Sequence, residues 1–405
     1  MSLAGPPPPI ARDCVNLNRF LPHPLLFDLR TLEPLAPGDL SAMMPPSLAG
    51  MELSRAPRIE LPGPVALALS EFRPTPLRRA ARFEAALGTR AEIYVKDEGE
   101  SPTGNHKASS AFLVAYLCAR DGIETITTET TGNWGIALAA AARRFGIKAV
   151  CFLDSRSHES RPDRKRAMEA CGARVTIVPV PRRGKGALLL LTADEALRAT
   201  AGMRKAAYVF GSVFNYFIAP QTIAGIEAKA GLDASGRAPD VIVGSCGGGA
   251  NLLGTAAPFL VDRVRGLSRV EVVAAEAVGC PILSRGRFGL RTVDTIGRFP
   301  ALRTYGIPGV SGSDYLGGLG STIVAAAAAH FHSEGLIRAE RVSAPEARAA
   351  ARLFRATEGR WVALESAHAI AAAARIASAA ERAKVILVGV SAGGGDRRLL
   401  ARAGR

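Results

Sequence analysis

Lys107 stands at the end of a Pro-Thr-Gly-Asn-His turn and at the start of a small, apolar run, in the stretch SPTGNHKASSAF (Ser101–Phe112). An amine there has two uses. It can cap a helix from solvent. It can also be a nucleophile at the edge of a core, where burial lowers its pKa so that it attacks and later acts as a base. A second stretch, VIVGSCGGGANLLG (241–254), reads as a buried strand, a glycine turn and a helix start. Gly247, Gly248 and Gly249 can take dihedrals closed to other residues and let backbone N–H groups crowd around an anion at the helix N-terminus. Such a loop also occurs for packing alone. It is neither of two familiar loops. A dinucleotide fingerprint starting at Gly247 needs glycine where Leu252 stands, and no Gly-Lys-Ser/Thr is present for a nucleotide triphosphate loop. Asn251 can fix the turn or donate to a ligand oxygen.

A lysine and a phosphate cradle together suggest a phosphorylated aldehyde held as a Schiff base, which points to pyridoxal 5'-phosphate. That cofactor needs a partner for its ring nitrogen. The strand in VILVGVSAGGGD (385–396) ends on Ser391, placed for that role. A serine leaves the pyridine nitrogen largely unprotonated. The ring is then a mild electron sink, suited to elimination and replacement at the substrate side chain.

These residues must be brought together by strands and helices that alternate along the chain. AEIYVKDE (91–98), ETITTET (124–130), KAVCFLD (148–154) and RVTIVPV (174–180) read as strands. Between them KASSAFLVAYLCARDG (107–122), NWGIALAAAARRFG (133–146) and RKRAMEACG (164–172) read as helices. The second half continues with strands PDVIVGS (239–245), RVEVVAAE (269–276) and AKVILVGVS (383–391) and a helix over 346–359. This spacing predicts βαβ units and an α/β fold of two parallel-sheet lobes with a cleft between them. Residues 1–70, rich in Pro and Leu, read as an extension wrapping the body. Residues 71–106 and 211–405 make the larger, cofactor-binding lobe, and 107–210 the smaller, mobile one.

Composition narrows the function classes. The 405 residues allow two or three cores. No apolar run is long enough to span a membrane, and MSLAGPPPPI lacks the basic and apolar regions of a secretory signal. The six cysteines form no C-x-x-C pair, so free thiols in a reducing, cytoplasmic setting are expected and metal ligation is not. The net charge of +15 gathers in RPDRKR (161–166), PRRGKG (181–186) and GDRR (395–398). No aromatic residues interleave these clusters, so solvated faces are favoured over a nucleic-acid surface. An electropositive rim that draws an anionic substrate is a third reading.

From Phe72 to Asp396 the chain resembles the β chain of tryptophan synthase, especially its longer second type, within the type II fold of pyridoxal-phosphate enzymes. The resemblance rests on RPTPLRRAARFEAALG (73–88), KDEGESPTGNHK (96–107), TTETTGNWGIALA (127–139), GGGAN (247–251), TEGRWVALESAHAI (357–370) and VSAGGGD (390–396), in family order. It implies that Lys107 forms the Schiff base, with His106 beside it near the phosphate. The phosphate then lies on Gly247, Gly248, Gly249, Ala250 and Asn251. Ser391 faces the pyridine nitrogen, and Glu365 lies near the same ring edge. Thr130, Thr131, Gly132, Asn133 and Trp134 hold the substrate, its carboxylate meeting backbone N–H groups and threonine hydroxyls. Glu129 becomes the catalytic glutamate, assisting loss of the side-chain hydroxyl and deprotonation of the nucleophile. Asp314, in the mobile region SGSDYLGG (311–318), contacts the substrate side chain.

The implied reaction takes serine or an O-activated serine to aminoacrylate and then adds a nucleophile, indole by default. A homodimer is implied, and docking of an α-type partner is left open. The chain departs from the family where E-T-T-G-N-W-G replaces the usual E-T-G-A-G-Q-x-G, one residue longer. The loop TTGNWG is similar to that of cysteine and threonine synthases, where the asparagine meets the cofactor's phenolic oxygen, a role for Asn133. Threonine synthase-like or dehydratase chemistry therefore stays open, as does a non-catalytic cofactor-binding subunit. Each residue also has a plainer reading: Glu129 as a strand-end carboxylate, Glu365 as a helix cap, Asp314 as a turn residue and Trp134 as core.

Overall fold

Two sheets, each capped by alanine-rich helices, meet along a cleft in this computed structural model, which describes residues 11–181, 188–311, 316–392 and 394–401. The larger sheet has six strands in the order Ile337–Val342, Glu271–Ala277, Val241–Ser245, Val385–Val390, Glu92–Asp97 and Leu77–Arg79. The first five are parallel and the last is antiparallel. The smaller sheet runs Arg174–Val178, Lys148–Asp154, Thr125–Thr130 and Ala206–Tyr208, all parallel. The central strands VIVGS and VILVGV are apolar on both faces because helices cover both sides of a parallel sheet.

The helices Ala108–Arg120 and Asn133–Arg144 pack against each other. Their small buried residues Ala111, Ala115, Ala137 and Ala141 let backbone and sheet come close. Every strand expected from the apolar runs is present, with ends within two residues of those expected. The helix expected at 164–172 starts earlier, at Pro162, because proline's fixed φ and missing N–H suit a first helical turn.

Three features differ from an all-parallel plan. The short edge strand Leu77–Arg79 is antiparallel and carries two arginines, which discourages further pairing at that edge. A third, antiparallel sheet joins Arg287–Arg291, Ala301–Gly306 and Leu26–Phe27. The N-terminal stretch also has its own elements, including Asp13–Val15 paired with Arg58–Glu60 and the helix Pro46–Leu53. Buried side chains tie this stretch down. Asn16 Nδ2 donates to Ser54 O at 3.0 Å and Ala56 O at 2.8 Å, and Glu52 accepts the Tyr216 N–H at 3.2 Å. No helix among the described residues is long and apolar enough to cross a membrane. Five of the six free cysteines are buried, and Cys171 is partly exposed.

Candidate active site

The cleft lies where the parallel strands end, the position at which loops of an α/β sheet gather chemistry. The strand Glu92–Asp97 leads to Lys107, Val241–Ser245 to the three glycines, Val385–Val390 to Ser391, and Thr125–Thr130 to the Thr131–Asn133 turn. Together they border about 540 Å³ of empty space, open mouth included. His106, Lys107, Asn133, Gly247, Gly248, Gly249, Ala250, Asn251, Glu365 and Ser391 all line it. So do Gly211, Ser212, Phe217, Ser245, Gly318, Leu319, Ala363 and Ser366, which the sequence reading did not single out.

Lys107 immediately precedes the helix Ala108–Arg120, with its N–H bonded to Asn105 Oδ1 at 3.0 Å. Its Nζ stands 5.9 Å from the centre of the Phe217 ring. Burial lowers its pKa to about 8, with Arg164 adding to the fall and Glu365 and Glu129 opposing it. A neutral amine is therefore accessible near neutral pH, as a nucleophile or base requires.

The loop before Lys107 rests on a buried four-charge cluster. Glu227 Oε2 accepts from Lys96 Nζ at 2.5 Å and from Arg73 at 2.9 Å. Arg73 also pairs with Glu98 at 2.6 Å. Two cations and two carboxylates cancel, which makes their burial tolerable.

At one pole of the cleft the glycines open a cradle. A Cβ on Gly248 would strike Ser212 Oγ, and one on Gly247 would strike Gly318 O. Gly249 has φ +92°, which favours glycine. The helix Ala250–Val264 begins there, its first N–H groups free of intrahelical partners and its dipole favouring an anion. Asn251 fixes the turn: its Oδ1 accepts from Ser245 N at 3.2 Å.

At the other pole Ser391 Oγ lies 3.0 Å from His106 Nδ1 and 3.4 Å from the His106 N–H. Burial, then Lys107, pushes the His106 pKa down to about 3, so the imidazole is neutral. Glu365 Oε1 accepts the Gly318 N–H at 2.7 Å, while its buried Oε2 has no hydrogen-bond partner among the described residues. Burial works to raise the Glu365 pKa, but Arg164, the Gly318 N–H and Lys107 outweigh it and hold the carboxyl below its usual value.

This set fits pyridoxal phosphate. The glycine turn packs too closely against Gly318, Leu319 and Ser212 to admit side chains, so its bare main chain borders the cleft. Glu365, with one oxygen unpartnered among the described residues, lines this cleft beside a hydroxyl, a neutral imidazole and an amine.

The loop over 130–134 is built differently from the rest of the cleft. Thr130 Oγ1 accepts the N–H groups of Gly132 (2.8 Å) and Gly135 (2.9 Å), so that hydroxyl holds the turn. Thr131 O accepts from Arg164 Nη1 at 2.9 Å. Gly132 has φ +129°, and Arg164 packs where its Cβ would be. Trp134 points into the core, donating to Thr128 Oγ1 at 2.8 Å and meeting Phe217 edge-on at 5.0 Å. Glu129 lies behind the cleft wall, only 2% exposed, bonded to the Tyr208 hydroxyl. Burial raises its pKa to about 8 against the opposing bonds from Tyr208 and Gly211 and the charge of Lys107. Asp314 lies outside the described residues.

Within the cluster RPDRKR, Arg166 is exposed as expected of a solvated face, but Arg161 and Arg164 turn inward. Arg164 is 2% exposed, and Arg161 pairs with Asp396 and with Asp163 at 2.7 Å. Asp396 in turn accepts the Leu364 N–H at 2.9 Å, beside Glu365.

The chain matches the family described as "Pyridoxal-phosphate dependent enzyme" over residues 69–392. It is 36% identical to tryptophan synthase beta chain 2 of Thermotoga maritima over 395 residues, covering 93% of this chain and 92% of that one. Tryptophan synthase beta chain of Pseudothermotoga lettingae is 37% identical over 373 residues, 88% and 87% of the two chains. The beta chain 2 of Aquifex aeolicus is 35% identical over 383 residues, 90% and 88%.

Proposed function

The chain belongs to the pyridoxal-phosphate dependent enzyme family, and from that membership we propose that it performs β-replacement on serine or an O-activated serine, adding indole or an analogue at Cβ. The observation that carries this reading is the meeting of the Lys107 amine, the Gly247–Asn251 cradle and the Ser391–His106 pair in one cleft. Bound there, pyridoxal phosphate supplies an aldehyde for the lysine and substrate amines and a ring that takes up the electron pair left at Cα.

Lys107 supplies the amine and then moves the Cα proton. Its lowered pKa leaves it partly neutral near pH 8. The backbone N–H groups where the helix Asn133–Arg144 begins receive the substrate carboxylate. Ser391, paired with a neutral His106, offers no acidic proton at its pole, which favours loss and replacement at Cβ over transamination. Glu129, protonated at neutral pH and set behind the cleft lining, turns its carboxyl into the cleft in this reading to give its proton to the departing hydroxyl and regain one from the incoming nucleophile. The same reading makes the protein a cytoplasmic homodimer, with 107–210 as its smaller, moving lobe.

The test is to supply purified, cofactor-loaded protein with serine, with and without indole. Tryptophan formed in step with indole supports the proposal. Pyruvate released at the same rate whether or not indole is present overturns it in favour of a dehydratase, a reading to which the shortened E-T-T-G-N-W-G loop lends weight.

A further inference from the structure

Glu129 does not stand alone behind the cleft. The strand Ala206–Tyr208 lies parallel to Thr125–Thr130 with Thr127 opposite Tyr208. Side chains two residues apart on a strand share a face, so Glu129 falls on the diagonal of Tyr208. The Tyr208 hydroxyl donates a hydrogen bond to Glu129 Oε2. The tyrosine ring is held edge-on to Phe299 at 5.3 Å, and Phe299 edge-on to Phe214 at 5.2 Å. Both Tyr208 and Glu129 are at least 95% buried, so water does not compete for this bond.

We infer that Tyr208 is the positioning partner of Glu129: its fixed hydroxyl takes up one carboxyl oxygen, sets the direction of the other, and steadies the carboxylate that forms when Glu129 releases its proton. This deepens the proposed function and rests on its assignment of Glu129. The step balances without Tyr208 losing its own proton. The Glu129 O–H bond breaks as the departing hydroxyl gains that hydrogen to leave as water. The resulting carboxylate accepts the Tyr208 O–H until the nucleophile's proton restores the acid.

Other groups around the pair do not replace this role. Lys107 lowers the Glu129 pKa through space, and the Gly211 N–H does so by a hydrogen bond. Cys151 has its own pKa pushed up to about 12, by burial and then by Glu129, and so stays a thiol. Tyr216 spends its hydroxyl on Phe210, donating to its carbonyl at 3.1 Å and accepting its N–H at 3.2 Å. Asp294 is bonded to Thr292 and Arg298. Tyr208 is ordinarily protonated, since burial, then Glu129, lifts its pKa well above the usual phenol value.

The experiment compares Tyr208→Phe with Glu129→Gln. In the cofactor-free protein, infrared difference spectra against Glu129→Gln isolate the Glu129 carboxyl and follow its titration. In the holoenzyme, the pH dependence of kcat and of KM for serine is measured. Loss of one hydrogen bond to a carboxylate moves its pKa up by about one unit or more. Tyr208→Phe is therefore expected to shift the infrared titration and the kcat profile together to higher pH, while KM for serine changes less than about twofold. Tyr208→Met repeats the test if the phenylalanine variant fails to fold. An infrared titration unmoved by either substitution overturns the pairing, whatever Glu129→Gln does. A moved titration with Glu129→Gln still turning over at the wild-type rate sinks the acid–base role of Glu129 instead, and with it the catalytic part of the inference.

Discussion

A methyl group at position 247 has nowhere to go. In Gly247→Ala the new carbon would lie 2.9 Å from Leu319 Cα and 3.2 Å from Leu319 C, and closer still to Gly318 O. All three are main-chain atoms, so no change of rotamer relieves the clash. The first of these separations is about 0.5 Å short of the 3.4 Å at which ordinary van der Waals packing begins, so the turn Gly317–Leu319 must move outward by at least that much. The same turn gives its Gly318 N–H to Glu365 Oε1, so the displacement reaches the far side of the cleft. Overpacking of this kind costs about 1–3 kcal/mol. The empty protein can release it by shifting the turn, whereas the loaded protein needs the turn in place. The penalty therefore appears as weaker cofactor binding, about 5- to 150-fold in Kd at roughly 1.4 kcal/mol per decade. The assay is a titration of cofactor-free protein with pyridoxal phosphate, followed by its visible band. Gly38→Ala, in the helix Pro37–Met43 with nothing within 4 Å of the new carbon, serves as the neutral control. If Gly247→Ala binds the cofactor within about twofold of wild type, the close packing of glycine against the Gly317–Leu319 turn does not shape the phosphate pole.

Two further outcomes follow from buried charge. Glu227→Ala strips Lys96 and Arg73 of a shared carboxylate, and uncompensated buried cations make it cost about 3–5 kcal/mol in a denaturant melt of the cofactor-free protein; a loss under about 1 kcal/mol would show that the cluster is not held as an ion network. Glu129 has a folded pKa raised from 4.5 to about 8, so its burial costs nothing at acid pH and destabilises the fold progressively as pH climbs from 4.5 through 8. Glu129→Gln should remove that dependence and flatten the stability–pH curve across this window by up to about 1.4 kcal/mol per pH unit; coincident slopes for the two proteins would contradict the burial of an ionisable carboxyl there.

Part of the cleft was legible because two of its loops follow strands that read as apolar runs and lead straight into glycine or serine. Gly247–Gly249 after VIVGS and Ser391 after VILVGV are the clearest cases. Gly211, Ser212 and Phe217 escaped notice because they follow a strand of only three residues, Ala206–Tyr208, too short for periodicity to register. Arg164 sits in a run of charges that looks solvated. Its partners, Thr131 O and Asp396, are distant in sequence, so only folding reveals that the guanidinium is buried. Trp134 sits beside the substrate loop in sequence, yet the helical turn that begins at Asn133 swings its ring against Phe217 and away from the cleft lining. The antiparallel sheet that takes in Leu26–Phe27 depends on pairing across more than half the chain, which local pattern does not encode.

The Ala392 N–H donates to Gly104 O at 3.0 Å, and Gly99 packs so closely against Ala392 that a Cβ there would lie 2.6 Å from its nitrogen. The turn that presents the lysine and the strand end that presents the serine are thus stitched together through main chain. Transplanting either segment alone from a relative would leave the other without its seam. A working chimera must carry residues 98–107 and 390–392 as a single cassette.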